Sequence, residues 1–259
     1  MFLVCFVGKF LPMNFTILRF DQLESTNTEA LNQAKRGADE GLCVVARQQT
    51  AGKGRHGRTW ISAKDAGLYF SVVLRPKIEM RFLPLITLMT AVAVHDTIEN
   101  LYKIDCDIKW ANDIHVGGKK ICGILAETCE TSKGLAVIVG IGINLKSSNF
   151  PPEIAGIATS IEAETDEKPN TENLLENLTR LFAQFYKILQ TSNGAKKIRQ
   201  DWTERSSYAF GKSVKVILEN ETIYGTTRGI EENGALCVEI DAGEIRVIHA
   251  GDVENLRTI

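Results

Sequence analysis

Along this 259-residue chain the hydrophobic period changes near residue 206, and that change constrains the fold more than any other feature. Before it, residues 171–189 carry Leu174, Leu175, Leu178, Leu181, Phe182 and Phe185 at the spacing of one helix face. Residues 195–202 give a second, shorter helix. After it, residues 214–218, 223–229, 235–240 and 244–248 read as short strands, with Asn233-Gly234 as a hairpin signal. A boundary near Tyr208 follows, with a small β-barrel behind it.

Upstream, strands and helices are interspersed. Residues 14–20 alternate like a strand, residues 42–46 and 68–74 are short apolar strands, and residues 107–109 are a brief strand. Thr26 and Glu29 have capping-box spacing, so a helix begins there and ends near Gly37. Residues 83–101 form a helix with Pro84 in its first turn and a wide apolar stripe. Residues 119–128 and 135–145 pair around a turn at Ser132-Lys133-Gly134. The expected class is α+β: a mixed β-sheet domain flanked by helices over residues 14–207, then the barrel over residues 208–259.

Residues 1–13 are expected to be an appendage or a misplaced start before Met13, too short for a helix-turn-helix. The apolar run at residues 2–7 is too short to span a bilayer and lacks the flanks of a signal peptide. Lys+Arg number 30 against 32 Asp+Glu, and this near-neutral balance excludes a protein built to coat nucleic acid. The six cysteines show no C-x-x-C pair, so reduced core thiols in the cytoplasm are expected rather than a disulfide framework.

Four stretches carry chemistry. In Gly52-Lys53-Gly54-Arg55-His56-Gly57-Arg58, three glycines and three full cations fall within seven residues. Glycines let backbone N–H groups approach an anion, and the cations add charge-assisted bonds, which suits phosphate. The G-x-G-x-x-G spacing is not a dinucleotide fingerprint here, because loop and strand follow instead of a helix. Lys109-Trp110-Ala111-Asn112-Asp113 follows a strand end, where an Asp can hold Mg²⁺ on a nucleotide. Lys119-Lys120 either reaches the same cleft or forms a charged hairpin rim. Gly140 and Gly142 interrupt a buried apolar strand, marking close approach of a ligand or tight sheet packing. Ser25-Thr26-Asn27 is a helix cap or part of a site.

Together these stretches resemble the biotin–protein ligases over residues 14–259. The family's G-R-G-R-x-G-R is present as residues 52–58, its K-W-P-N-D as residues 109–113, its G-[IA]-G-I-N as residues 140–144, and its S-T-N as residues 25–27. The tail, with Gly225 to Leu236 and Gly251-Asp252-Val253, is similar to the family's C-terminal SH3-like barrel. The resemblance implies a biotin/ATP-binding catalytic domain over residues 14–207. It implies that biotin and ATP give biotinyl-5′-AMP, whose acyl group passes to a lysine of a biotin carboxyl carrier protein.

It further implies site residues. Ser25, Thr26, Asn27, Gln49, Gly52, Lys53, Gly54, Arg55, Lys120, Gly140 and Gly142 would bind biotin. Arg55, Arg58, Trp60, Asn112, Lys120, Ile143 and Asn144 would serve ATP and the adenylate. Arg55, Lys120 and Lys109 would be catalytic, and Asp113 would hold Mg²⁺. A homodimer through sheet edges is expected, with neither nucleic acid nor membrane as partner. Two positions depart from the family pattern. Lys53 replaces an Arg and loses its planar fork, and Ala111 replaces a Pro. The rival readings are a lipoate–protein ligase, which shares the adenylate logic, and a non-enzymatic biotin, nucleotide or nucleic-acid binding module.

Overall fold

The structure is a computed structural model that describes residues 2–6, 13–147 and 150–255. Eight strands form the larger sheet: β1 (Phe2–Phe6), β2 (Phe15–Phe20), β3 (Leu42–Ala46), β4 (Gly67–Leu74), β5 (Asp107–Lys109), β6 (Asp113–Val116), β7 (Lys119–Thr131) and β8 (Gly134–Asn144). Their order is β1-β2-β3-β4-β8-β7-β6-β5. Only β2 and β3 pair in parallel, and the crossover that a parallel pair requires is α1 (Thr26–Lys35). The sheet is therefore mixed, as the sequence predicts. Of the expected N-terminal extension, β1 lies antiparallel on β2, and residues 7–12 fall outside the described residues.

The expected barrel region is a five-stranded antiparallel sheet. It comprises β9 (Phe210–Ile217), β10 (Thr222–Ile230), β11 (Leu236–Glu239), β12 (Ile245–Ile248) and β13 (Asp252–Asn255), ordered β12-β11-β10-β9-β13. β6 and β13 have no counterpart in the sequence reading, nor do the four-residue helices α3 (Pro152–Ala155) and α4 (Ile161–Glu164). So short a run carries at most one or two repeats, and it is read as an element only where flanking turn signals mark it, as they do for β11 and β12.

Helix α2 (Leu85–Tyr102) is apolar on nearly every side. It has the length and composition of a membrane span, but thirteen of its eighteen residues are buried inside the fold. It packs between the large sheet and helices α5 (Thr171–Leu189) and α6 (Gly194–Glu204), which is where an all-round apolar helix belongs. The same core continues into the small sheet through Val214, Val216, Leu236, Val238 and Val253.

On its other face the large sheet is covered by α1, through Ala30 and Ala34 against Val44, Val73 and Ile138. Helix α1 spans only part of that face. Alternation along β4, β7 and β8 puts Ser71, Gly123, Leu125, Gly140, Gly142 and Asn144 on the same side, beyond the helix. They floor a cleft.

A candidate active site at the uncovered end of the sheet

The N-terminus of α1 opens the cleft. Its cap is Ser25, whose hydroxyl accepts from the Thr28 N–H, and not Thr26 as the capping-box spacing implied. Thr26 is recruited elsewhere: its N–H and its hydroxyl both donate to Oε1 of Gln49, at 2.8 and 3.1 Å. The Gln49 amide nitrogen donates to the Ser62 hydroxyl at 2.7 Å, and that hydroxyl donates to the Trp60 carbonyl at 3.2 Å. Asn27 donates to the Leu125 carbonyl and to Glu127. Its carbonyl oxygen lies 2.6 Å from the buried Ser71 hydroxyl, which also lies 2.8 Å from the Thr26 hydroxyl. Ser71 has one proton for two acceptors. A connected polar chain thus runs from Asn27 to the backbone of Trp60.

The glycines make room for this chain. A Cβ at Gly140 would lie 2.1 Å from Oδ1 of Asn27, and one at Gly142 would lie 2.5 Å from the Trp60 indole. A Cβ at Gly123, paired with Gly142 across the sheet, would lie 2.9 Å from the same ring. The close approach read from the strand glycines is therefore made by site side chains.

The glycine-rich segment folds back on itself. Gly54 N–H donates to Arg58 C=O at 2.7 Å and Trp60 N–H to Gly52 C=O at 2.9 Å. Gly52 shapes this turn and does not line the cleft, since a Cβ there would meet the Trp60 carbonyl at 2.3 Å. Arg55 reaches across to Asn112, donating to its Oδ1 at 2.8 Å, and Asn112 donates to the Ile124 carbonyl at 3.0 Å. Arg58 forms an ion pair with Asp252 of β13, joining the loop to the small sheet.

Lys120 opens β7 and points into the cleft, not onto a solvated rim. Its ammonium lies 2.7 Å from Oδ1 of Asp113 and 5.4 Å from the Trp60 ring centroid, within cation–π range. Burial alone would raise the Asp113 carboxyl. His115 and Lys120 outweigh it and hold the group down at about 2. The Lys120 contact is an ion pair without aligned hydrogen-bond geometry, which leaves Oδ1 of Asp113 free of a directed donor.

Two cavities meet here. A polar one of about 60 Å³ lies among Thr26, Gln49, Lys53, Arg55, Lys120 and Gly142. A larger one of about 200 Å³ lies among Arg58, Trp60, Asp113, Lys120 and Asn144. Its apolar wall is Phe150, Ile154 and Ile157, from a segment the sequence reading left without a role. Arg55, Trp60, Asn112 and Lys120 line both.

Not every expected residue reaches the cleft. Ile143 is wholly buried in the core, because it alternates with Gly142 and Asn144 to the opposite face of β8. Lys109 lines neither cavity; it sits opposite Asp113 in the β5–β6 ladder, where burial lowers its pKa. The Asn144 amide already donates to the Thr159 carbonyl at 3.0 Å. Ser62, Ser71, Gly123 and Asp252 belong to the site and were not read from the sequence as such. A serine inside the apolar run at residues 68–74 was the one available signal for Ser71.

Known proteins are similar to this chain over most of its length. Residues 19–144 match the biotin/lipoate A/B protein ligase family, and residues 209–254 match the biotin protein ligase C-terminal domain. The bifunctional ligase/repressor BirA of Bacillus spizizenii is 38% identical over 237 residues, covering 90% of this chain and 72% of that protein. The biotin–[acetyl-CoA-carboxylase] ligase of Mycobacterium tuberculosis is 32% identical over 91% of this chain and 87% of its own length. Among solved structures, biotin protein ligase from Aquifex aeolicus in complex with biotin and ATP superimposes with a TM-score of 0.80 at 28% identity, covering 93% of this chain and 99% of that one. The chain belongs to the biotin protein ligase family.

Proposed function

We propose that this chain joins biotin to ATP as biotinyl-5′-AMP in the paired cavities and then passes the biotinyl group to a lysine of a biotin carboxyl carrier domain. The observation that carries this reading is the position of Arg55 and Lys120 on the seam between the polar cavity and the larger, apolar-walled one. Two anions must meet at such a seam.

The hydroxyls and amides of Ser25, Thr26 and Gln49 suit the ureido group of biotin, because buried polar groups left unpaired by a wrong ligand reject it strongly. Trp60 and the Phe150–Ile154–Ile157 wall suit a nucleobase. A biotin carboxylate oxygen attacks the α-phosphorus, the bond from that phosphorus to the bridging oxygen breaks, and pyrophosphate leaves with the electron pair. Lys120 and Arg55 neutralise the charge that shifts in this step. Lys53 and Arg58 supply further positive charge on the loop, which shields the mixed anhydride from water. No covalent enzyme nucleophile is needed.

Asp113 would hold magnesium. One buried carboxylate with an undirected oxygen fits an ion that draws its other ligands from phosphates and water. Bound there, magnesium would offset phosphate charge.

The five described cysteines outside β1 are free, which supports a reducing, cytoplasmic setting. We further propose a homodimer through a sheet edge. β1 is the terminal strand of the large sheet, whereas the Ile108 N–H of β5 at the other end already donates to the Arg205 carbonyl. A monomer mass at high concentration with both ligands bound overturns the dimer.

The test is ATP–pyrophosphate exchange with biotin, with lipoate and with neither. Biotin-dependent exchange supports the reading, lipoate-dependent exchange changes the substrate, and no exchange with either leaves a binding module.

A further inference from the structure

A third cavity, of about 210 Å³, opens on the far side of the Arg55–Asn112 hydrogen bond. It is well above the roughly 10–15 Å³ that a single water occupies by the same measure. It lies between the start of α2, strand β7 and the turn joining β10 to β11, among Thr87, Leu88, Ala111, Ala126, Asn233 and His249. Arg55, Asn112, Ile124 and Leu125 line both this cavity and the small polar one, so the Arg55–Asn112 contact stands between them. The function proposed above assigns this space to neither biotin nor the nucleotide.

Its lining has a distinct chemistry. Arg55 is the one residue in it with a full charge, and no carboxylate is present. The walls are largely apolar, and a cationic neighbour in such walls disfavours an ammonium and favours a neutral amine. The small sheet is fixed as one wall: Trp110 Nε1 donates to the Gly234 carbonyl at 2.9 Å, and a Cβ at Gly234 would meet Leu88 at 2.8 Å. The cleft therefore has three arms, and the reaction proposed above has three reactants.

We propose that this third cavity admits the aminobutyl arm of the acceptor lysine, and that the Arg55–Asn112 contact is the partition the amine passes to reach the adenylate. The inference rests on the ligase reading above and adds where the acceptor enters. The lysine leaves one proton to water at the mouth and enters neutral. Its nitrogen attacks the acyl carbon, the bond from that carbon to the phosphate oxygen breaks, and AMP departs with the electron pair. The second amine proton goes to the departing phosphate, and the product is an amide.

Thr87→Phe and Ala126→Phe fill the cavity from two different walls without touching either substrate cavity. The experiment follows three readouts on the whole enzyme: biotin-dependent pyrophosphate exchange, consumption of preformed biotinyl-adenylate by hydroxylamine, and single-turnover transfer to the apo carrier domain of an acetyl-CoA carboxylase. Exchange and hydroxylamine consumption are expected to stay within about twofold of the unaltered enzyme, because hydroxylamine is too small to need the arm. Transfer to the carrier is expected to fall by roughly tenfold or more, equivalent to about 1.4 kcal/mol in the barrier. Carrier transfer at the unaltered rate in both variants overturns the proposal. So does a parallel fall in all three readouts in both variants, which would place the cavity in adenylation. Absence of biotin-dependent exchange in the unaltered enzyme overturns the ligase reading itself.

Discussion

The Lys120 ammonium stands 2.7 Å from Oδ1 of Asp113 and 5.4 Å from the centre of the Trp60 ring. One cation thus touches the carboxylate that follows the Asn of residues 109–113 and the aromatic side chain that closes the glycine-rich segment. The bond is local to the cleft, but its partners lie 60 and 7 residues apart in the chain.

Removing either cation on the seam should cripple adenylation. Lys120→Ala and Arg55→Ala are each expected to lower biotin-dependent pyrophosphate exchange by on the order of 10²-fold, the usual loss for one preorganised electrostatic group. Near-normal exchange in both variants would reject the site.

The Asp113 carboxyl makes stability depend on acid. Burial raises its pKa, yet His115 and Lys120 outweigh burial and hold it at about 2 in the fold, against about 3.9 for an unfolded chain. A depressed folded value stabilises fully above the unfolded pKa, and that contribution fades as pH falls through the folded one. It amounts to roughly 2–3 kcal/mol at neutral pH, at 1.36 kcal/mol per unit. Urea unfolding should show Asp113→Asn less stable than the unaltered protein above about pH 4, with the gap closing toward pH 2. A gap independent of pH contradicts this.

Under the proposed function, Ser71 acts on biotin through Thr26 and Asn27, as a positioning residue. Ser71→Ala removes the hydroxyl that lies against both Thr26 and Asn27. Leaving those buried acceptors short of a donor should cost about 1–3 kcal/mol of stability. The KM for biotin should rise more than the KM for ATP, and equal changes in both would mark a merely structural role.

Gly140→Ala drives a methyl group into Oδ1 of Asn27. The expected loss is about 1–3 kcal/mol, the range for overpacking a tight interior. Biotin affinity, read by calorimetry, should weaken with it. Unchanged stability and affinity together would mean that Asn27 moves aside freely.

Strands and long helices were legible because their signals are local. The ranges expected at residues 42–46, 107–109 and 171–189 coincide with β3, β5 and α5, and the apolar run of β3 and the helical stripe of α5 need no partner to be recognised. The four-residue β6 went unread although Ile114 and Val116 alternate with polar neighbours, because so brief a pattern between the motif at residues 109–113 and Gly117-Gly118 does not stand out from a loop. In the cleft, the cations and glycines of residues 52–58 stood out by their density. Ser71 did not, because a lone hydroxyl in a buried strand has meaning only once Thr26 and Asn27 are seen above it.

The α+β class and the change to short strands after residue 206 follow from spacing along one dimension, and the motifs carried the family resemblance from which a mixed sheet was expected. The sequence also located most of the charged and amide side chains that meet in the cleft. Which of two neighbours faces the cleft is settled by packing in three dimensions. Gly142 and Asn144 face the cleft while Ile143 faces the core, because the pleat of β8 turns successive residues to opposite sides and α2 already covers one of them. Packing also decided what fills the space that the strand glycines leave. Only folding brings Asn27 over Gly140 and Trp60 over Gly142, since those pairs are separated by 113 and 82 residues of chain and meet when α1 and the glycine-rich segment pack on β8.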